Sequence, residues 1–253
     1  MRQSYAVASR GGLTLWHYSR RTVRRGAAPV SFLDELKLVT RALQQDASVD
    51  PEVQQRNQRL ANEACRVAHD YWNELCSHLN VIQAPSTARY AIDGRQPLQG
   101  LVCRNFRVAP HLRLVPGGMA QYDAVVLVWQ AVGTQRQRIE KQLPHDIERV
   151  RANLRHANIS AHEDGVRQAG TGRLQGTAFE FMPDVTASVR VTPLHDSGRV
   201  KLTFVNVDQL ERVEAEYPAV GLRSRLLDDI GRWIVGQPHE TLEYAAEVKR
   251  FLP

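Results

Sequence analysis

From Asp50 to about Val81 the apolar residues recur every three or four positions in two neighbouring stripes: Leu60, Ala64, Val67, Tyr71, Leu75 beside Ala61, Cys65, Ala68, Trp72, Cys76, Leu79. This spacing predicts one long helix, and a face this wide packs against a layer rather than along a two-stranded seam. Its start is marked by Asp50, which can accept from a free N–H, by Pro51, which has no donor to leave unpaired, and by Glu52 at the positive end of the dipole. Ahead of it Phe32, Leu36, Val39 and Leu43 repeat at helical spacing behind Ser31 and Asp34, predicting a helix over 32–45. The two together predict a helical hairpin over 32–83.

Beyond Pro85 the period shortens towards two. "LQGLVCRNFRV" (98–108) and "QYDAVVLVWQAV" (121–132) read as strands joined through a "PGG" turn at 116–118. Pro144, His145, Asp146 and Glu148 open a helix with Ile147, Val150 and Leu154 inward. "RLQGTAFEF" (173–181), "VTASVRVT" (185–192) and "RVKLTFVNV" (199–207) read as a meander with turns at Pro183-Asp184 and Asp196-Ser197-Gly198. "QLERVEAEYP" fits a helical turn or a further strand, and the alternation of Val213, Ala215 and Tyr217 favours the strand. Leu222, Leu226, Leu227, Ile230, Trp233 and Ile234 form an amphipathic helix stopped by Gly236, and a short helix is expected over Leu242 to Phe251. At the other end, "QSYAVAS" and "LTLWHYS" around "RGG" read as two short extended pieces.

Strands in runs, with helices grouped before and after them, predict an α+β protein: an antiparallel sheet of about five to seven strands with a C-terminal meander, one face covered by helices, and an N-terminal helical hairpin. The expected organisation is a basic extended segment over 1–31, the hairpin over 32–83, and an α+β core over 84–253 packed with the hairpin as one domain.

Charge changes this picture at one place. The chain of 253 residues carries 33 Lys and Arg against 27 Asp and Glu. Arg2, Arg10, Arg20, Arg21, Arg24 and Arg25 are the charged residues ahead of Asp34, and the remainder balances at 27 against 27. The basic character is therefore a local patch, densest in "SRRTVRRGA" at 19–27. An arginine-rich, acid-free start is also the composition of a mitochondrial transit peptide. The longest apolar run, "AVVLVW" at 124–129, is strand-sized, so no spanning helix is expected. Cys65, Cys76 and Cys103 form no CxxC pair, which points to a reducing, cytoplasmic compartment and away from a disulfide framework or a Cys-rich zinc site.

Candidate chemistry is sparse. "GTGRLQG" at 170–176 precedes a strand, where a dinucleotide loop needs a helix, so it reads as a hairpin connection; no Gly-Lys pair exists for a phosphate loop. His145, Asp146, His156, His162, Glu163 and Asp164 are the densest group of acid-base or ligand types, but His145 and His156 stand about 16 Å apart along a helix. Asp70, Glu74 and His78 line one side of the long helix next to His69, on the side read as solvated. Asp228 and Asp229, with Arg225 and Arg232, read as exposed ion pairs on a helix surface. No nucleophile elbow, HExxH or SxxK pattern is present, and no metal or cofactor is expected.

Trp72, Trp129 and Trp233 lie on apolar stripes and are read as core. Trp16, His17 and Tyr18 adjoin the arginines, an arrangement suited to stacking bases while guanidinium groups hold phosphates, or to a strand that tucks Trp16 into a sheet. The expectation is a non-catalytic interaction protein that grips an acidic protein partner through Arg20, Arg21, Arg24, Arg25, Trp16 and Tyr18 by bidentate carboxylate pairs. Weak nucleic-acid binding by the same residues is the alternative: four phosphate contacts give a log–log salt slope of about 3.6. A third reading is an enzyme or small-ligand binder with its site between sheet and helices. The arginines can also pair with acids of the chain itself, which would remove the first two.

Overall fold

The computed structural model describes residues 6–9, 12–15, 36–37, 50–114 and 120–253. The chain divides into two compact units, 1–49 and 50–253. In the first, β1 (Ala6–Ser9) and β2 (Gly12–Leu15) pair antiparallel, as the two extended pieces predict. Leu36 and Lys37 are helical, and the rest of the helix expected over 32–45, hence the first arm of the hairpin, lies outside the described residues.

The second unit opens with α1 (Pro51–Ile82), capped by Asp50, whose side chain accepts from the Glu52 amide at 3.0 Å. Both predicted stripes face the protein, and Ala61, Ala64, Cys65, Ala68, Trp72, Cys76 and Leu79 are buried. Alanine and cysteine at successive turns bring the helix backbone close to the sheet.

That sheet has six strands, all antiparallel, assembled from β3 (Val102–Leu114), β4 (Ala120–Val132), β8 (Asp184–Leu194), β9 (Arg199–Val205), β10 (Arg212–Pro218) and β11 (Glu247–Phe251). Their order is β11-β10-β9-β8-β4-β3. A second sheet, β5-β7-β6, is built from β5 (Gln137–Lys141), β6 (Ala161–Arg167) and β7 (Leu174–Phe181). Strands β5 and β6 flank β7 and are linked by α2 (Pro144–His156). After β10 come a single 3-10 turn, Ala219–Gly221, and α3 (Ser224–Ile234).

Burial alternates along β8 and β9, and in β4 from Leu127 on, after a run of four buried residues, Ala124 to Leu127. Val125, Leu127, Trp129 and Ala131 of β4, Val185, Ala187, Val189 and Val191 of β8, and Val200, Leu202 and Phe204 of β9 are buried in one core together with α1, α2 and α3. Ser188, Arg190 and Thr192 of β8 and Lys201, Thr203 and Val205 of β9 point to the opposite face. One covered face and one wet face is what this pattern demands of an antiparallel sheet. The tryptophans Trp72, Trp129 and Trp233 are core residues as expected.

Four expectations need correction. The strand at 174–181 does not form a hairpin with 184–194: β7 pairs with β5 and β6, while β8 pairs with β4 and β9. Pro183 is a kink between two sheets, its carbonyl accepting from Gly133 N–H at 2.8 Å. The tail at 247–251 is edge strand β11 on β10 and not a helix, because the free edge of β10 offers its backbone groups a ladder. Strands β5 and β6 went unread because their residues are almost all polar, with Arg138, Glu140, His162 and Asp164 facing water. The ambiguous segment at 212–218 is a strand. The fourth correction concerns Asp229, taken up with the side-chain chemistry below.

Candidate functional site: a cleft at the elbow between two sheets

Two strand pairs run through the junction of the sheets as one bent ribbon. Val132 opposite Asp184 ends the six-stranded sheet, and Gln137 opposite Phe181 begins the smaller one. At the bend a Cβ on Gly133 would stand 3.1–3.2 Å from side-chain atoms of Leu101 and Pro183, a tight fit that glycine relieves. The bend leaves a cleft of ≈ 390 Å³, lined by Arg136, Asn158, His162, Glu180, Met182 and Asp184 among others.

Glu180 lies near the end of β7 and Asp184 opens β8, with Met182 and Pro183 between them at the kink. Across the small sheet Glu180 is paired with Arg138 on β5 and with His162 on β6, giving a row of cation, carboxylate and imidazole. Asn158 sits in the left-handed region, φ 59°, directly after α2, a conformation asparagine tolerates well. Its amide reaches Thr186 Oγ1 at 3.4 Å.

The charges of the cleft are unevenly satisfied. Arg138 holds both Glu140, at 2.8 Å, and Glu180, and these two carboxylates raise its already high pKa. Arg136 lies 3.9 Å from the second Glu180 oxygen and is mostly exposed. His162 Nε2 stands 3.2 Å from Asp164. Asp184 is held by a relay of neutral donors: Asn105 Nδ2 donates to Gln130 Oε1 at 2.5 Å, and Gln130 Nε2 donates to Asp184 Oδ2 at 3.0 Å. The other carboxylate oxygen, Oδ1, is buried and receives no hydrogen bond.

The residues that the sequence singles out are distributed differently. Arg20, Arg21, Arg24, Arg25, Trp16 and Tyr18 lie outside the described residues. The His145 group is not brought together. His145 is exposed beside Asp146, which binds Arg149, and Arg151 bridges Glu148 and Glu163 at 2.6 Å each. The Arg151 hydrogen bonds hold the Glu163 carboxyl below its usual range. Of that group His162 alone lines the cleft. On α1, Asp70 pairs with Arg66 at 2.9 Å, and Glu74 and His78 face solvent. Among the described residues no three His, Cys, Asp or Glu side chains come together as metal ligands would.

Asp229 is the remaining correction. It is not an exposed partner on the surface of α3 but is 4% exposed, paired with Arg232 at 2.8 Å, while Asp228 accepts from Tyr71 of α1 at 2.6 Å and Arg225 reaches Glu240. The side of α3 that carries Asp229 is closed over by the chain after Gly236, where His239 stacks on Trp233 with ring centres 4.8 Å apart.

Sequence reasoning missed Glu180 and Asp184, since lone acids at strand ends carry no motif. The one available signal was Pro183 between them, which marks a kink as readily as a turn. Cys65, Cys76 and Cys103 are free and buried. No helix among the described residues is long and apolar enough to cross a membrane. No known family of proteins matches the chain, and neither a curated protein nor a solved structure shows significant similarity to it.

Proposed function

We propose that the protein is a non-catalytic interaction protein whose arginine-rich start, Arg20, Arg21, Arg24 and Arg25 with Trp16 and Tyr18, binds an acidic protein partner. The observation that carries this reading is the contrast between the two units. Residues 50–253 hold 25 basic and 24 acidic side chains, whereas residues 1–33 hold six arginines and no acid. In the second unit several acids are paired with bases of the same unit: Glu63 and Asp70 with Arg66, Asp93 with Lys141, Glu148 and Glu163 with Arg151, Glu214 with Arg212, Glu216 with Arg199. Four guanidinium groups within six positions, with no acid among residues 1–33, suit bidentate pairs with the carboxylates of an outside partner.

The test is capture from a native extract with the full chain and with a variant in which Arg20, Arg21, Arg24 and Arg25 are replaced by Ser. An acidic protein retained by the first and lost by the second, with retention falling as salt rises, supports the reading. Equal retention by both removes it. The Trp16-His17-Tyr18 cluster favours a second reading, weak binding of single-stranded nucleic acid by stacking beside phosphate contacts. Affinity for short single strands and duplexes at two salt concentrations distinguishes it, and an affinity unchanged by the four replacements rules it out.

A further inference from the structure

We infer that His195 is an acid-operated latch on an arm of the large sheet: when it takes up a proton, the Gln121 carboxamide turns over and Arg113 passes from Gln121 to Asp123. This device depends neither on the arginine-rich start nor on the cleft at the elbow.

Strand β8 pairs with β4 over Val125–Val132 of the latter. Beyond that point His111–Leu114 of β3 and Ala120–Ala124 of β4 run on as a pair, with a register shift between His111 and Leu112 where the arm leaves the sheet. A two-stranded ribbon is marginal by itself, and Leu112 and Leu114 of this one are exposed. Side chains from two other elements reach it. Asn62 of α1 accepts from the Tyr122 N–H at 2.9 Å. His195 stands in the turn after β8, where the β4–β8 register, continued past Val125 and Val191, brings it opposite Gln121.

Each hydrogen bond at this latch has a single direction. His195 Nε2 lies 3.2 Å from the Tyr122 carbonyl oxygen, which can only accept, so Nε2 carries the hydrogen. Nδ1, 3.3 Å from Gln121 Nε2, is then the bare nitrogen of a neutral ring and accepts from the amide. The same carboxamide is fixed from its other end: Oε1 accepts from Arg113 Nε at 3.3 Å and Nη2 at 3.1 Å, and a guanidinium has no acceptor. A proton on Nδ1 therefore meets an amide donor. The contact is regained only if Gln121 turns its oxygen to His195, and its NH2 group then faces Arg113, donor against donor. Arg113 has a second acceptor at hand, Asp123 Oδ1 at 3.6 Å.

The charges around the ring set the direction of the switch. Burial lowers the His195 pKa and Arg113 of β3 adds to this, while the Tyr122 carbonyl, Asp196 in the same turn and Asp123 of β4 act against them. The neutral latch is thus complete above about pH 6.5 and opens below it. From α1 it is neutral Asn57 that reaches this turn, donating to the Asp196 carbonyl at 2.9 Å. Glu63, Arg66 and Asp70 of α1 lie about the Tyr122 hydroxyl, with the His69 ring centre 6.4 Å from that of Tyr122.

The experiment follows the full chain by nuclear magnetic resonance from about pH 8 to about pH 5, reading the His195 ring, the Gln121 side-chain amide and the Arg113 Nε–H. The three signals are expected to share one midpoint, below about 6.5. Exchange protection in Leu112–Leu114 and Ala120–Tyr122 is expected to fall by about threefold or more, relative to β8, as that midpoint is passed. Gln121→Glu, whose carboxylate accepts from both neighbours at once, is expected to raise the His195 midpoint by about one pH unit and to leave the Arg113 Nε–H signal unmoved across it. His195→Gln is expected to abolish the acid change at Arg113 and in the arm. Should His195→Gln not fold, the titration of the unaltered protein decides. A His195 midpoint at or above about 6.5, Gln121 and Arg113 signals that stay still or move with another midpoint, an Arg113 shift retained in Gln121→Glu, or the same acid change in His195→Gln would each overturn the inference.

Discussion

Glu211 and Arg250, 39 residues apart in sequence, meet at 2.7 Å, and the glutamate side chain is only 3% exposed. This pair fastens the last strand, β11, whose other side chains are exposed and whose backbone, among the described strands, pairs only with β10. Arg250→Ala leaves a buried carboxylate without its cation. The expected loss is about 1–3 kcal/mol, moderated because the guanidinium is half exposed, and is read as a lower urea midpoint. Amide exchange in Glu247–Phe251 is expected to rise more than in β8 or β9, since the edge strand opens first.

Gly176 of β7 touches the backbone of β5. A Cβ there would stand 2.4 Å from the Lys141 carbonyl oxygen, closer than any rotamer change can relieve. Gly176→Ala therefore forces β5 away from β7 and is expected to cost about 3 kcal/mol in chemical denaturation, while Gly170→Ala, where the site is open but φ is +87°, reports backbone strain alone.

Burial lowers the pKa of both His195 and His239 below the ordinary value of about 6.5. His195 lies between Gln121 and the Tyr122 carbonyl, near Arg113, Asp123 and Asp196; His239 lies on Trp233, near Asp208 and Asp229. With a depressed folded pKa the unfolded chain takes up the proton first as pH falls. The stabilisation from these two groups is thus complete above about 6.5 and is lost as pH drops below it towards the folded values. Denaturation midpoints are expected to fall between pH 7.5 and 5.5, with a shallower slope in His195→Gln and His239→Gln.

The three thiols are expected to be inert in the folded protein. Burial pushes Cys65 up to about 12 and Cys76 up to about 11, and raises Cys103 as well, so thiolate is scarce at pH 8 and access is closed. Iodoacetamide should label none of them natively and all three in denaturant. Native labelling of Cys65 at the rate of a free peptide thiol would contradict the packing of α1 against the sheet.

Local chemistry made much of the fold readable. The Asp50-Pro51-Glu52 start and the paired stripes of α1 depend on a 3.6-residue repeat, and the alternation in β4, β8, β9 and β10 depends on one dry and one wet face. The candidate cleft was not readable in the same way. His162 was noticed for its neighbours in sequence, yet its significant neighbour is Glu180 across a ladder, and Asp184 has its site only because β8 leaves the line of β7 at Pro183.

By itself the sequence determined the α+β class, the long capped helix, the core tryptophans and the concentration of positive charge ahead of Asp34, because each follows from periods, caps and counts within short stretches. Tertiary structure alone decided that β7 belongs to a second sheet, that Glu247–Phe251 is an edge strand, that Asp229 is buried, and that Arg136, His162, Glu180 and Asp184 share a cavity. Strand partnership is a contest among backbone edges far apart in the chain. Its outcome rests on which pairing buries Phe179, Phe181 and Val185 in one core, a quantity no local window contains.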